Sequence, residues 1–201
     1  MEKNVSTFLL CLTAIALNFL VAFTFCDWLH IPIFMDTIFT VAITFYCGLL
    51  PGIFTAIGYN VLSTLTSEIR GYSFDPLLVL FAICGVLIAI VTWFFARHKE
   101  EFRISTAITI LYLVLIAMLS SFASILSSGI IDYVRFSIVE LPDRIAPIKN
   151  FTDSFVNQHF SLFAACILAQ VPVSLTDRLI TTFLGFGVYK LMVRFLGNER
   201  W

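Results

Sequence analysis

Apolar residues in this chain gather into long runs broken by short polar segments. The first run, residues 5–26, follows Glu2 and Lys3 and is long enough for a membrane-crossing helix, which needs about 20 residues. It ends in Phe25, Cys26, Asp27 and Trp28, bulky or polar residues that make no small-x-small cleavage site. It therefore reads as a retained helix and not as a secretory leader. Pro32 lies in the connection that follows, and Asp36-Thr37 offers an N-cap for a second helix over 36–50. Gly48 and Pro51-Gly52 close that helix and open a third over 52–67, with Pro51 as its first residue. The pair predicts a tight hairpin of helices that are short for a full crossing.

Glu68 to Ser73 form a polar loop, after which Asp75-Pro76 caps a fourth helix over 76–96. The densest charge cluster of the chain, residues 97–103, separates it from a fifth helix over 104–128. The stretch 129–173 is more polar and predicts a long outer loop region. Within it, apolar residues at 130, 131, 134, 138 and 141 have helical spacing and suggest an interfacial helix or lid. A later apolar piece is only 12 residues long and is stopped by Pro172. Ser174 and Asp177 then make the capping box of a last helix over 174–195. The expected fold is an all-α integral membrane protein, one membrane domain over 1–201 with six transmembrane helices.

Composition agrees with that pattern. Of the 201 residues 60% are hydrophobic and only 12% charged, against about 25% charged in soluble domains. An ordinary water-soluble enzyme is excluded. A net charge of −1 gives no basic balance that would point to nucleic acid. The positive-inside rule orients the chain. With cytoplasmic termini, the inner side holds Lys3, Arg97, Lys99, Arg103, Lys190, Arg194 and Arg200, and the outer side Arg70, Arg135, Arg144, Lys149 and Arg178. The expected location is the cell membrane, as a multi-pass protein of a bacterial-type cytoplasmic membrane.

Candidate chemistry is sparse. No HExxH, GxSxG or phosphate-cradling GxxxxGK[ST] motif occurs, and no pair of intramembrane carboxylates is set up for acid–base work. The expectation is no enzyme, no cofactor and no metal. The five scattered cysteines read as small apolar packing residues. The polar residues gather on the outer halves of the helices. Asn60, Tyr72, Ser120, Ser124, His159, Gln170, Ser174, Asp177 and Arg178 are the candidate substrate-binding residues, lining a small outward-facing recess. For the serines the competing role is helix–helix packing; for Asp36 and Asp177 it is helix capping. Ala14, Asn18 and Ala22 lie on one face of the first helix, where they serve close packing within the protein or docking to a membrane partner.

Two segments carry a family resemblance: residues 30–60, with the Pro-containing connection and the Gly48/Pro51-Gly52 turn, and the stretch Gln170-Val-Pro-Val-Ser-Leu-Thr-Asp-Arg178. Both resemble the substrate-binding S components of energy-coupling factor (ECF) vitamin transporters. The resemblance implies a subunit that captures a small vitamin-like solute outside. It would deliver that solute inward with a membrane coupling protein and two cytoplasmic ATPases. It also implies docking to the coupling protein through an Ala-x-x-x-Ala stripe. Here Ala14 matches, the second position is Asn18, and Ala22 follows one turn on. Riboflavin-type members carry Pro-Phe-Asn-Leu-Ile-Lys at the last motif. Their ligand-binding Asn and Lys fall on Ser174 and Asp177, which does not support riboflavin itself. The alternative is a membrane input or sensor protein that signals through a separate partner.

Overall fold

The computed structural model describes residues 2–31, 33–70, 74–98, 100–138 and 146–197, the side chains of 2–4, 103, 146–147 and 149 aside. Tyr72 lies outside the described residues. Every regular element among them is helical: α1 (Glu2–Ala22, prolonged by a π-helical turn Phe23–Trp28), α2 (Ile38–Cys47), α3 (Leu49–Leu65), α4 (Ala82–Ala96, entered through a 3-10 stretch Pro76–Phe81), α5 (Glu101–Ile104), α6 (Thr106–Ile138), α7 (Ala146–Asn157) and α8 (Leu162–Leu196). Four stretches are long and apolar enough to cross a membrane: Val5–Trp28, Pro76–Ala96, Thr106–Ile138 and Leu162–Leu196. The helices α2 and α3 are shorter.

On α1 the small residues turn inward. Cys11, Ala14, Asn18 and Ala22 are all buried, whereas Phe8, Leu9, Leu12 and Leu20 are exposed. Spacings of three and four residues put the first set on one face. That face packs on α2 and α3. Asn18 fixes it in place: its Nδ2 donates to Thr40 Oγ1 at 3.0 Å, and its Oδ1 accepts the Phe39 N–H at 2.9 Å. The Ala14–Asn18–Ala22 stripe is thus packed inside the protein.

The helix α2 begins at Ile38, later than the expected 36, and ends at Cys47. At 1.5 Å per residue it covers about 15 Å, half of a hydrocarbon core. Nine of its ten residues are buried. Asp36 does not cap it, because its carboxylate is turned to Arg178. Gly48, at φ 92, reverses the chain into α3 in a conformation that a side chain would strain. A Cβ at Gly52 would meet Thr44 Oγ1 at 2.1 Å, so the hairpin closes only around glycine. Pro51 is the third residue of α3, not its first.

The Asp75-Pro76 start of the fourth helix is as the residues suggest: Asp75 Oδ1 accepts the Leu77 N–H at 2.9 Å. The largest departures come after residue 128. The fifth helix does not stop there, and α6 continues to Ile138. The charges Asp132 and Arg135, which look like loop residues in sequence, are buried against one another and do not end the helix. The last helix does not start at Ser174 but at Leu162, with Ser161 Oγ accepting the Ala164 N–H at 3.3 Å. It runs through Pro172. Proline is tolerated inside membrane helices, and just beyond it Ser121 Oγ of α6 donates to the Ser174 carbonyl at 3.4 Å, tying the two helices together. The expected outer loop over 129–173 is therefore largely helix among its described residues.

The pairing of α6 with α8 builds the main seam of the bundle. Small residues allow it. A Cβ on Gly129 would stand 2.9 Å from Ile167 Cα, a backbone atom that cannot step aside. Toward the two chain termini the bundle is filled by aromatic rings, with Phe45 against Phe102, Phe186 and Tyr189 at centroid distances of 5.3–5.6 Å.

Candidate functional site: a polar cavity in the helix bundle

At the opposite end the helices enclose a cavity of about 160 Å³. Its size is close to that of an engineered cavity of about 150 Å³ that takes up benzene. Seven parts of the chain contribute. Asp27 comes from the end of α1, Phe34, Asp36 and Thr37 from the entry to α2, and Tyr59, Asn60 and Ser63 from α3. Phe81 and Cys84 lie at the start of the fourth helix, and Ser124 and Asp132 on α6. Ile148 of α7 and Gln170, Ser174 and Arg178 of α8 complete the wall.

The entry to α2 is not helical. Irregular backbone inside a membrane is stable where it lines a cavity or is buried in protein. Here it is tied down from outside itself. Met35 sits at φ 51, a left-handed conformation rare for a side chain of its kind. Its N–H donates to Asp177 Oδ1 at 2.7 Å. Asp177, fully buried on α8, thereby holds the strained turn that sets Phe34, Asp36 and Thr37 against the cavity.

Three buried arginines organise the charge. Arg178 Nη1 donates to Thr37 Oγ1 and lies 3.3 Å from Asp177 Oδ2 and 3.5 Å from Asp36 Oδ1. Arg135 reaches Asp75 Oδ2 through Nε (3.1 Å) and Nη2 (2.8 Å), and Asp132 Oδ1 through Nη1 (3.2 Å). Gln170 Nε2 donates to the other Asp132 oxygen at 2.5 Å. Arg70 pairs with Asp27 and donates to Ser63 Oγ at 3.2 Å, with its guanidinium over the Phe19 ring at 5.3 Å. Buried charges at membrane depth are stable only with such partners.

Against that background, three polar atoms on the cavity wall have no hydrogen-bond partner: Ser124 Oγ, Gln170 Oε1 and Arg178 Nε. Each belongs to a side chain that is at least nine-tenths buried. A buried donor or acceptor left unpaired costs about 1–3 kcal/mol, so their convergence on one space marks a site for a small molecule carrying both donors and acceptors.

Of the residues singled out in the sequence, Asn60, Ser124, Gln170, Ser174 and Arg178 line this cavity. Asn60 is committed locally, donating to the Ala56 carbonyl at 2.9 Å. Asp177 stands behind the wall as a positioning residue. Ser120 is buried but is not among the lining residues. His159 is exposed in the turn between α7 and α8, at φ 68, and plays no part in the cavity. Of the neighbouring serines, Ser121 serves the helix seam, its Oγ reaching the Ala117 carbonyl at 2.7 Å and the Ser174 carbonyl at 3.4 Å, whereas Ser128 also lines the cavity with its Oγ bonded back to the Ser124 carbonyl at 2.5 Å. Sequence reasoning missed Asp27, Tyr59, Phe81 and Asp132 as lining residues. For Asp132 a signal existed. Its opposite charge three residues from Arg135, within Ile130, Ile131 and Val134, is the mark of a buried intrahelical pair.

Among the described residues no group of three or more His, Cys, Asp or Glu side chains comes together as a metal site. Compared with models of known families, with curated proteins and with solved structures, the chain matches none. What is shown is an all-helical protein with several long apolar helices of the kind found in multi-pass membrane proteins.

Proposed function

We propose that the chain is the substrate-binding membrane subunit of an importer of the energy-coupling factor type, capturing a small vitamin-like solute outside. A membrane coupling protein and two cytoplasmic ATPases would then deliver the solute inward. The observation that carries this reading is the convergence of Ser124 Oγ, Gln170 Oε1 and Arg178 Nε, buried and unpartnered, on one ring-sized space. In this reading the chain crosses the bilayer six times with both termini in the cytoplasm. The irregular entry and α2 together make the second crossing. The cavity end of the bundle then faces outward, away from the basic cluster at 97–103. The energy source lies in the partners, and the subunit contributes selective binding.

Cys26, on the cavity wall, provides the test. In a variant keeping only that cysteine, an impermeant thiol reagent added outside intact cells labels it, and the same reagent inside inverted vesicles does not. The tagged chain purified in mild detergent brings with it a small molecule detectable by mass spectrometry, a coupling protein and ATPases. Labelling from the cytoplasmic side, or recovery of a kinase or cyclase in place of the ATPases, overturns the importer reading in favour of a sensor.

A further inference from the structure

The charges around the cavity do not balance. Arg70 and Asp27 neutralise each other. Each of the other two arginines faces two carboxylates: Arg135 faces Asp75 and Asp132, and Arg178 faces Asp36 and Asp177. In their ionised forms, and among the described side chains, these two groups leave two negative charges without a counterpart. The excess is buried: Asp132 and Asp177 are fully shielded and Asp75 nearly so. Uncompensated buried charge is strongly disfavoured and is relieved either by protons on the carboxylates or by a cation from elsewhere.

Other features of the wall indicate the form that charge takes. Asp36 and Asp132 both face the cavity, and Gln170 Oε1, an acceptor with no donor, is held beside Asp132 by the amide's own bond to that carboxylate. Phe34, Tyr59 and Phe81 supply aromatic wall to the same space. Carboxylates, a free carbonyl oxygen and aromatic rings together are the surroundings in which organic ammonium groups bind. A metal ion would instead gain little from the rings, and the cavity is far larger than one ion needs. We propose that the solute bound here is a small organic cation built on about one ring, its ammonium or protonated ring nitrogen directed at Gln170 Oε1 and the Asp36 and Asp132 carboxylates. The free Ser124 hydroxyl and Arg178 Nε–H take an acceptor group on the same molecule. This rests on the solute-capture reading and narrows it to a chemical class.

Three probes of one size and different charge test it: benzylammonium, benzyl alcohol and benzoate, each added at millimolar concentration to the full-length protein in detergent. Thermal stability and the rate of Cys84 labelling are the readouts, since Cys84 lies on the cavity wall. The expected result is stabilisation and protection in the order cation, neutral, anion. Asp36→Asn and Gln170→Leu each weaken benzylammonium about tenfold, the worth of one charge-assisted hydrogen bond. The two variants test different atoms, so the result survives if one of them fails to fold. A preference for benzoate, or no difference among the probes, a common lack of response included, overturns the proposal. So does an equal response to sodium chloride, which assigns the excess charge to an inorganic ion. Lys149, next to Ile148 in sequence, is the control: Lys149→Gln leaves the cation preference unchanged, and a preference that appears only in that variant overturns the proposal by showing that the chain supplies the missing charge. If benzoate or benzyl alcohol binds best, solute capture stands and only the cation falls. If Cys26 is labelled from the cytoplasmic side, capture from outside falls whichever probe binds.

Discussion

The two ends of this bundle are built on opposite principles. Toward the termini, Phe45 packs between Phe102, Phe186 and Tyr189, and the one charge near these rings is the Lys190 ammonium over Phe186 and Tyr189 among the described contacts. At the far end, Arg135 joins elements distant in sequence through the buried Asp75, and Arg178 does so through the half-buried Asp36. In water, the aromatic end would dominate stability through the hydrophobic effect. In lipid that driving force is largely absent between helices, because acyl chains are as apolar as the side chains. The aromatic end then contributes dispersion and shape, while the polar end contributes contacts whose loss leaves charges stranded. The polar end is therefore the more costly to damage, even though it contains a cavity.

The variant Arg135→Met is expected to have the largest effect. It leaves Asp75 and Asp132 without their cation, and breaking a buried pair from one side costs about 3–5 kcal/mol. Unfolding followed in mixed detergent micelles measures it. Adding Asp75→Asn and Asp132→Asn to the same variant should recover much of the loss, because neutral partners no longer need the guanidinium. A loss that the added changes leave untouched would mean that Arg135 acts through packing over Phe81, whose ring centre is 5.6 Å from its guanidinium.

Phe45→Ala probes the other end and should cost less. Removing a core aromatic from a water-soluble protein costs about 3–5 kcal/mol, part of it from transfer to water. With lipid as the solvent the cavity part remains, so roughly 2 kcal/mol is expected in the same unfolding experiment. If Phe45→Ala proves worse than Arg135→Met, the ranking of the two ends is reversed and the argument from lipid solvation fails with it.

The same contrast explains what was legible in the sequence. Long apolar runs reveal helices that face lipid, so the Val5–Trp28, Pro76–Ala96 and α6 segments can be read almost directly. Asp75 before Pro76 has a purely local job and was legible for that reason. What could not be read depends on partners far along the chain. Asp132 and Arg135 look like solvated loop residues until Asp75, 60 residues from Arg135, is placed beside them. Asp36 has the position of a helix cap, but its partner is Arg178, 142 residues away. Ser174 and Asp177 fit a capping box, yet they lie in mid-helix, where Asp177 clamps Met35. His159 shows the reverse error: a polar residue near the right end of the bundle that the turn after α7 leaves facing outward. The cavity's polar members are those whose local roles are filled by something else.

Ser124→Ala is the mildest of the changes and separates site from scaffold most cleanly. Ser121 and Ser124 both lie buried on α6, and both are small residues on the seam with α8. Ser121 Oγ has acceptors in the Ala117 and Ser174 carbonyls, whereas Ser124 Oγ faces the cavity with none. Deleting an unpaired buried hydroxyl removes no bond within the protein and lifts the cost of leaving it unpaired, so stability should hold or rise, by up to about 1 kcal/mol. Deleting the Ser121 hydroxyl should cost about 1 kcal/mol, since a helix-spanning contact is lost with it. Solute retention should show the opposite order. A lost hydrogen bond of about 1 kcal/mol lowers affinity roughly fivefold in Ser124→Ala, while Ser121→Ala binds as the unaltered chain does. Unfolding midpoints and the amount of small molecule carried through purification, measured on the same preparations, give both orders at once. Should Ser124→Ala lose stability as Ser121→Ala does and keep its solute, Ser124 belongs to the helix seam, and the recognition surface shrinks to Gln170 and the Arg178–Asp36 side of the cavity.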